Sequence, residues 1–332
     1  MRYVEAGGAR LSTVGVGTWQ FGASEWGYGR QYAAEIAPRI LERSLDLGVN
    51  VVDTAEMYAF GRSERIVGRA IASRRDEVFV ATKLLPLLPA GPVVGWRLRG
   101  SLRRLGTDHV DLYQLHWPNP AVPAAATAAA LRAVLDEGLA LHVGVSNYSL
   151  DRWRALEDAL GAPVLTNQVR FSLLDRRPER ELLDWAQAHG RIVIAYSPLA
   201  QGLLSGRYDA DHRPSGLRAA TAAFLPENLR AIAGLVEVLR EVAAVHDVTP
   251  AQIALAWLLG HRNVVVIPGA SSVAQAERNA ESADIELSSA EHQALVDAAD
   301  AYRPVGGVPA VVRGRAEVAT RRVRRALAGL RA

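Results

Sequence analysis

Lys83 is the residue of this chain whose type and position most directly suggest chemistry. It is the single lysine among 38 lysine and arginine residues, so every other position of this kind is an arginine. A lysine carries a compact ammonium whose pKa shifts readily, whereas the arginine guanidinium stays protonated in a planar fork. The apolar run 78–83 predicts a buried strand with this side chain at its carboxyl end. We interpret Lys83 as a candidate functional residue; the alternative is a lysine retained by chance at a strand end.

Three further polar residues lie at the ends of predicted strands. Asp53 and Tyr58 lie where the second strand ends, and His116 closes the fourth. In a parallel barrel the carboxyl ends of all strands meet at one face, so these side chains are expected to converge with Lys83. Each also has an ordinary structural interpretation: Asp53 could cap a turn, Tyr58 could be a loop aromatic, and His116 could be a hydrogen-bonded core histidine.

The elements that position these residues alternate along the chain. Eight short apolar runs predict strands, and their lack of polar alternation is typical of parallel strands that are covered on both faces. The predicted strands span residues 14–17, 49–53, 78–83, 110–116, 141–146, 164–169, 192–197 and 264–268. Helical patterns between them cover residues 64–72, 93–105, 124–137, 150–160, 179–189 and 250–259, and Ile36, Ile40, Leu41, Leu45 and Leu47 also follow helical spacing.

Eight strand-then-helix units predict the α/β class and a closed (β/α)8 TIM barrel. A β-hairpin that turns at Gly7-Gly8 precedes the barrel, and two long loops, 19–32 and 199–229, leave its carboxyl face. A doubly wound sheet is the alternative, but no Gly-x-Gly-x-x-Gly follows the first strand.

Charge and composition narrow the function classes. Residues 311–332 carry seven arginines and one glutamate, a net of +6, so the rest of the chain is near −3 against an overall +3. A body of that charge predicts no nucleic-acid binding. The absence of cysteine excludes disulfides, thiolate catalysis and cysteine metal sites, and no other clustered ligand set predicts a metal. No run has the length of a signal peptide or the ~18 apolar residues of a membrane span, so we expect a cytoplasmic protein without membrane contact.

We expect one barrel domain over residues 1–310 and an arginine-rich C-terminal tail over 311–332. The apolar spacing within 316–330 predicts an amphipathic helix. This helix could pack on the barrel, mediate self-association or meet an acidic surface, and we expect a monomer or a weak homo-oligomer.

Several blocks of the sequence, in order, resemble those of the aldo-keto reductases. The segment 53–58, Asp-Thr-Ala-Glu-Met-Tyr, with Gly-Arg-Ser-Glu at 61–64, resembles the first signature of that family, and 108–117 is similar to the second. Later blocks at residues 144–148, 195–199 and 267–270 also match. The resemblance extends over about residues 1–300 and implies a bacterial-type enzyme that reduces a carbonyl with a nicotinamide cofactor.

The resemblance implies a role for each residue at the strand ends. Tyr58 would be the general acid that protonates the carbonyl oxygen, and Lys83 would lower its pKa from about 10 because a nearby ammonium stabilises phenolate. Asp53 would pair with Lys83 and hold it. His116 would orient the carbonyl by a hydrogen bond, either as the neutral imidazole or partly charged.

The resemblance also implies a cofactor site. Ser146, Asn147 and Gln168 would bind the nicotinamide carboxamide, and Tyr196 would stack on the ring unless it is a core aromatic. Ser197, Leu199, Gln201 and Gly202 would lie along the pyrophosphate, and Gly269, Ala270, Ser271, Gln275 and Asn279 would surround the adenosine phosphate. The remaining cofactor contacts are expected from Gly17, Thr18, Trp19, Asp53, Pro198, Ile267 and Arg278.

One position departs from the family pattern. Many relatives carry an arginine where this chain has Ser271, and that arginine pairs with the 2′-phosphate of NADPH. Arg278 stands where relatives usually carry glutamate, and from a helix beginning near Val273 it could reach the same phosphate or be a solvated surface residue. The resemblance implies NADPH as the cofactor, with NADH as the alternative.

The substrate class stays open at this stage. Trp26, Tyr28 and Trp117, with Trp19, would line the substrate side, and aromatic walls suit sugars, aryl aldehydes and polycyclic ketones equally. Two other functions also remain: a cofactor-binding regulatory module with slow turnover, like the β subunits of potassium channels, and a lyase that forms a Schiff base on Lys83.

Overall fold

The computed structural model describes residues 1–23, 28–29, 31–214 and 216–306. The described residues divide into two compact units. The first contains residues 1–23, 28–29, 31–198 and 255–286, and the second contains residues 199–214, 216–254 and 287–306. The predicted tail at 311–332 and the predicted domain boundary at residue 310 lie outside the described residues.

The chain begins with an antiparallel hairpin, as the sequence predicts. Strand β1 (Tyr3–Ala6) pairs with β2 (Ala9–Ser12). The two turn residues, Gly7 and Gly8, have φ of 57° and 81°, which is left-handed backbone that glycine adopts without a steric penalty. Residues of the hairpin pack into the same buried cluster as residues of the barrel strands, so the hairpin covers one end of the barrel core.

Eight parallel strands form the barrel in sequence order. They are β3 (Val16–Gly17), β4 (Val51–Asp53), β5 (Phe79–Leu84), β6 (Val110–Leu115), β7 (Ala140–Ser146), β8 (Val164–Arg170), β9 (Ile192–Tyr196) and β10 (Val264–Val266). Each strand is hydrogen-bonded to its neighbours in the chain, and a parallel bridge between Val14 and Val266 joins the last strand to the first. The predicted TIM barrel is therefore confirmed, and the doubly wound sheet is excluded by this closure.

Eleven α-helices lie in the described ranges. They are α1 (Ala37–Asp46), α2 (Arg62–Ile71), α3 (Pro92–Leu105), α4 (Ala124–Asp136), α5 (Leu150–Leu160), α6 (Leu182–Ala188), α7 (Pro226–Ala231), α8 (Ala233–Val245), α9 (Pro250–Leu259), α10 (Val273–Glu281) and α11 (Ser289–Ala301). The sequence predicts α1 to α5 and α9 closely. The helix predicted at 179–189 is a 3-10 turn, Arg177–Glu179, followed by α6, and Glu181 between them has a non-helical φ of −140°.

The second unit is built mainly from helices. The 3-10 helices Ala200–Ser205, Gly216–Ala220 and Ala222–Phe224 precede α7 and α8, and α11 packs against α8. The Asn228 side chain donates to the carbonyls of Ala222 (2.7 Å) and Val305 (2.9 Å) and accepts from the Val305 N–H (2.7 Å). This side chain therefore fixes the segment that follows α11.

The described helices and acidic side chains bear on membrane and metal binding. Within the described ranges no single helix is long and apolar enough to cross a membrane, and one bent pair, α8 with α9, reaches that length and composition together. Among the same residues no three histidine, aspartate or glutamate side chains gather as a metal-ligand group.

Candidate active site

Lys83 lies at the centre of the polar residues inside the barrel mouth. Its side chain is fully buried near the end of β5, and its Nζ lies 2.5 Å from Asp53 Oδ1 and 2.8 Å from the Thr54 carbonyl oxygen. The third contact, 3.3 Å long, is with the Tyr58 hydroxyl. These contacts use all three donors of the ammonium, so the structure brings together three of the four predicted catalytic residues.

Asp53 uses its second carboxylate oxygen to hold a residue from the opposite side of the barrel. The Gln168 Nε2 donates to Asp53 Oδ2 at 2.7 Å, and both side chains are buried. A carboxylate only accepts hydrogen bonds, so the amide nitrogen of Gln168 must face Asp53, and its amide oxygen is directed elsewhere. Tyr58, the predicted general acid, is thus linked through Lys83 and Asp53 to Gln168, a residue predicted to bind the carboxamide.

His116, the fourth predicted catalytic residue, lies beside Tyr58. The two ring centroids are 5.7 Å apart in an edge-to-face arrangement. The indole of Trp117 stacks on the imidazole at 4.1 Å with an interplanar angle of 6°. The Nδ1 atom of His116 is buried without a hydrogen-bond partner. Tyr58, His116 and Trp117 therefore form a continuous wall of rings.

The protonation states follow from burial. Burial raises the pKa of Tyr58 well above 10, and the charges of Asp53 and Tyr196 raise it further. Burial lowers the pKa of the Lys83 ammonium, while Asp53 opposes that shift. The resemblance implies that Lys83 lowers the pKa of Tyr58, whereas the net shift of that pKa is upward because desolvation of the phenolate dominates. Tyr58 consequently keeps its proton at neutral pH.

His116 is neutral in this environment. Burial lowers its pKa to about 3, and the positive charge of Lys83 contributes to the same shift. Of the two states that the sequence leaves open for this residue, the structure favours the neutral imidazole, which has one N–H donor.

The residues predicted to bind a carboxamide form one row across β7, β8 and β9. The Ser146 hydroxyl donates to the Gln168 carbonyl at 2.8 Å. Asn147, with a left-handed φ of 61°, donates from Nδ2 to Ser146 Oγ at 3.0 Å and to the His116 carbonyl at 3.3 Å. The hydroxyl of the half-buried Tyr196 donates to Asn147 Oδ1 at 2.9 Å and fixes the tyrosine ring. A row of neutral donors and acceptors beside an anchored ring fits a nicotinamide and its carboxamide.

A buried hydroxyl cluster lies behind Asp53 and was missed by sequence reasoning. The hydroxyl of Thr18, a predicted cofactor contact, lies 2.8 Å from the Asp53 carbonyl oxygen and 2.8 Å from Ser63 Oγ. Ser63 also lies 3.0 Å from Thr54 Oγ1 and donates to the Thr18 carbonyl at 2.9 Å. The cluster holds Thr54, whose carbonyl accepts from Lys83. Its only sequence signal is a serine in the first turn of α2, beside the block at 53–58.

Of the residues predicted at the adenosine phosphate, Gly269, Ala270 and Ser271 directly precede α10, and Gln275 and Asn279 lie on that helix. The Ala270 carbonyl accepts from Gln20 Nε2 at 3.1 Å and from the Tyr32 hydroxyl at 2.6 Å, two contacts that sequence reasoning missed. A Cβ on Gly269 would lie 2.8 Å from the Gln20 amide, so a larger residue there would displace that side chain from its contact with Ala270. The Ser271 hydroxyl donates to Gln275 Oε1 at 2.8 Å.

The first turn of α10 has the features of an anion site. Ser272 caps this nine-residue helix and accepts from the Gln275 N–H. Backbone N–H groups at a helix N-terminus attract phosphates. Arg278 is exposed on α10, and the half-buried Asn279 follows it.

The other predicted cofactor contacts divide between the two units. In the first unit, the Gly17 Cα lies close enough to Ile267 that a Cβ would be 2.6 Å from the Ile267 carbonyl oxygen. Ser197 has a left-handed φ of 52°, and the buried Pro198 follows it. In the second unit, Leu199, Gln201 and Gly202 form a tight turn in which the Gly202 N–H donates to the Leu199 carbonyl at 2.8 Å.

Three of the four residues predicted on the substrate side lie within the described chain. Trp117 is 40% exposed beside His116, and Tyr28 packs on Tyr32 with ring centroids 4.8 Å apart. Trp19 is 43% exposed. Trp26 lies outside the described residues.

The family model, the relatives in sequence and the solved structures that match this chain agree on one family. The model of the aldo/keto reductase family matches residues 13–300. An uncharacterized oxidoreductase of Mycobacterium tuberculosis is 50% identical over 306 residues, which cover 92% of this chain and 95% of that protein. Methylglyoxal reductase YeaE of Escherichia coli is 36% identical over 86% of this chain and 90% of that protein. An aldo/keto reductase of Klebsiella pneumoniae, solved with NADP and acetate, is 33% identical with a TM-score of 0.71 over 92% of this chain and 96% of that chain.

Two further relatives bear on the alternatives that the sequence leaves open. An NADH-specific methylglyoxal reductase of Escherichia coli is 32% identical over 88% of this chain and 95% of that protein. A probable voltage-gated potassium channel β subunit of Arabidopsis thaliana is 31% identical over 86% of this chain and 92% of that protein.

Proposed function

Because this chain belongs to the aldo/keto reductase family, we propose that it reduces an aldehyde or ketone to an alcohol with NADPH, with Tyr58 as the general acid. The observation that carries the proposal is the triple contact of the buried Lys83 ammonium with Asp53, Thr54 and Tyr58. This arrangement is suited to a proton transfer from the phenol.

Tyr58 is the residue that supplies the proton. Its raised pKa keeps the phenol protonated, and the carbonyl oxygen becomes strongly basic only as its carbon accepts a hydride. Loss of the proton leaves a phenolate 3.3 Å from the Lys83 nitrogen, where a fixed positive charge stabilises it. Asp53 keeps that nitrogen in place. Lys83 therefore stabilises the phenolate that remains after the proton has been transferred.

His116 orients the substrate. A neutral imidazole beside Tyr58 donates a hydrogen bond to the carbonyl oxygen without competing as an acid, because its pKa is about 3. Its stacking on Trp117 restricts rotation of the ring. The carbonyl oxygen would then lie between the Tyr58 hydroxyl and the imidazole.

The nicotinamide cofactor, when bound, supplies the hydride. Ser146, Asn147 and Gln168 would hold its carboxamide, and the ring of Tyr196, fixed through its hydroxyl, would support one face of the nicotinamide. The first turn of α10 would hold a phosphate. The solved Klebsiella relative contains NADP, which supports NADPH, whereas the Escherichia coli NADH-specific relative makes NADH the alternative.

The reductase proposal is tested by turnover. Purified protein is mixed with NADPH and a panel of aldehydes and ketones of different size and polarity, and the loss of NADPH absorbance is followed. We expect oxidation of NADPH with some members of the panel, and at least a 10²-fold slower rate in the Tyr58→Phe variant, the order of a lost general acid. A folded protein that binds NADPH and oxidises it with no carbonyl would contradict the proposal.

Each of the two alternatives has its own test. The 31% identity with a potassium channel β subunit favours a cofactor-binding module with slow turnover, for which cofactor binding would be tight and turnover negligible. A Schiff base on Lys83 is disfavoured by the three contacts that occupy its nitrogen. Borohydride treatment with substrate would leave a stable adduct on Lys83 only in that case.

A further inference from the structure

The loops that follow β5 and β6 carry almost no polar side chains. Residues 85–91, between β5 and α3, read Leu-Pro-Leu-Leu-Pro-Ala-Gly. Residues 117–123, between β6 and α4, contain Asn119 as their one polar side chain. Surface loops are ordinarily polar, and an exposed apolar cluster on a soluble domain marks a binding site for a ligand or a partner.

Five apolar side chains on these loops and on the neighbouring loop after β4 are exposed to solvent. Phe60 is 96% exposed, Leu87 is 73% exposed and Leu88 is 52% exposed. Met57 and Trp117 are 39% and 40% exposed. Their exposure has a cost in water, since each apolar surface would be more stable against another apolar group. We refer to Met57, Phe60, Leu87, Leu88 and Trp117 as the apolar shelf.

Hydrogen bonds tie the three loops of the apolar shelf together. Asn119 Nδ2 donates to the Pro86 carbonyl at 2.9 Å and to the Leu87 carbonyl at 3.2 Å, which joins the loops after β6 and β5. Glu56 Oε1, in the loop after β4, accepts from the Leu85 N–H at 2.5 Å. Asn119 therefore serves to position the apolar residues of the loop after β5.

Charge is neutralised beneath this surface. Arg97 forms an ion pair with Glu56 at 2.7 Å, and Arg97 Nη1 donates to the Leu85 carbonyl at 3.1 Å. Both side chains are largely buried, at 19% and 10% exposure. Because each charge has its partner, the pair fixes the loops without offering a free charge to a ligand.

The backbone beside Tyr58 is strained in a way that exposes Phe60. Ala59 and Phe60 have φ of 47° and 55°, and Gly61 follows with 76°. Two successive left-handed residues with side chains are unfavourable, and a bulky residue there is an outlier. Such strain persists where the surrounding structure enforces it, and it concentrates at binding and active sites. The strain places Phe60 in solvent two residues after Tyr58.

The apolar shelf is continuous with the reactive residues. Trp117 stacks on His116, and His116 lies edge-to-face against Tyr58. Strands β4, β5 and β6 are adjacent in the barrel, so their loops leave its carboxyl face side by side. A molecule whose reacting group lies at Tyr58 and His116 would extend directly over these loops.

We propose that the apolar shelf binds an extended apolar portion of the carbonyl substrate, an alkyl chain or fused hydrocarbon rings. The inference rests on the proposed reductase function and adds the substrate class to it. A small or hydroxyl-rich carbonyl gains nothing from five exposed apolar side chains. Each methylene that the apolar shelf removes from water strengthens binding by about threefold.

The test is the dependence of kcat/KM on substrate length in a series of unbranched aldehydes from propanal to decanal. For the wild-type protein we expect kcat/KM to rise by up to about threefold per methylene until the apolar shelf is filled. Two variants remove apolar surface from different loops: Phe60→Asn, which suits left-handed backbone, and Leu87→Ser. Leu141→Ser is the matched control, because Leu141 is 52% exposed at the opposite end of the barrel, where β7 begins.

In both shelf variants the ratio of kcat/KM for decanal to that for propanal should fall at least about fivefold, the equivalent of losing more than one buried methylene. In Leu141→Ser the ratio should keep its wild-type value. Turnover of short aldehydes with no rise along the series would overturn the inference and leave the reductase proposal intact. Loss of self-association in Phe60→Asn together with an unchanged ratio would also overturn it, since a second copy would then cover the apolar shelf. No turnover with any carbonyl would overturn both proposals.

Discussion

Lys83 and Asp53 form an ion pair inside the barrel, with Nζ and Oδ1 2.5 Å apart and neither side chain more than 2% exposed. Such a pair adds little net stability over apolar residues, because removing both charges from water costs about as much as their attraction returns. Its value therefore lies in what it positions. The pair places a positive charge 3.3 Å from the Tyr58 hydroxyl.

Breaking this pair from one side should be costly. In Asp53→Asn the buried Lys83 loses its counter-charge, and we expect the free energy of unfolding to fall by about 3 to 5 kcal/mol. Urea unfolding at neutral pH measures the loss. Asp53→Asn/Lys83→Met is the matched control, because it removes both charges and should be less destabilised than Asp53→Asn alone. A double variant at least as unstable as the single would show that the pair stabilises the fold outright.

The identity of the cation should matter as much as its charge. Lys83→Arg keeps a positive charge but adds a rigid planar fork at a fully buried strand end. We expect turnover to fall on the order of 10²-fold or more, as for a lost general acid. Tyr58→Phe should cost at least as much, and the double variant should lose little more, because the two residues act as a unit. Cofactor binding, followed by protein fluorescence, should change far less. Near-normal turnover in folded Lys83→Arg would remove Lys83 from the mechanism.

The barrel was predictable because parallel strands that are buried on both faces consist of nearly continuous apolar residues. The run at 110–116 became β6, and the run at 14–17 contains β3. Strand β3 is only two residues long because Val14 pairs with Val266 as an isolated bridge that closes the barrel. That pairing joins residues far apart in the chain, and no local pattern predicts it.

Two helices that the prediction omitted carried local signals. Residues Leu235, Val236, Leu239, Val242 and Ala243 of α8 are buried at helical spacing. Helix α11 begins with a capping box, in which Ser288 and Glu291 satisfy each other's backbone N–H groups. Both patterns are local, so the sequence alone is sufficient to predict α8 and α11.

The site was predictable in its residues and less so in its energetics. Asp53, Lys83 and His116 each lie within one residue of the end of a strand, so the topology alone brings them together. The direction of the Tyr58 pKa shift depends on how much water the fold removes from the hydroxyl, which the sequence does not state. The contact of Thr18 with Ser63 spans 45 residues, and a hydroxyl gives no indication of its partner.

The neutral state of His116 should appear in the pH dependence of stability. Its pKa is about 3 in the folded protein and about 6.5 when unfolded, so the unfolded state binds more protons between these values. Its stabilising effect is complete above pH 6.5 and is lost as the pH falls toward 3. Between pH 7 and pH 5 the loss from this residue is about 2 kcal/mol. Urea unfolding at both pH values should show a smaller loss in His116→Asn than in the wild-type protein. Equal losses would show that His116 is not held neutral.

Cofactor preference should depend on Arg278. The Ser271 hydroxyl donates to Gln275. Arg278 is exposed and is the one basic residue of α10, so it is the candidate for an ion pair with a 2′-phosphate. We expect Arg278→Ala to weaken NADPH binding about tenfold, the scale of a charge-assisted hydrogen bond, and to leave NADH binding nearly unchanged. Fluorescence titration with both cofactors measures this. Arg69→Ala, which removes one exposed charge from α2, is the matched control and should alter neither affinity. Equal weakening of NADPH and NADH in Arg278→Ala would show that this arginine does not recognise the phosphate.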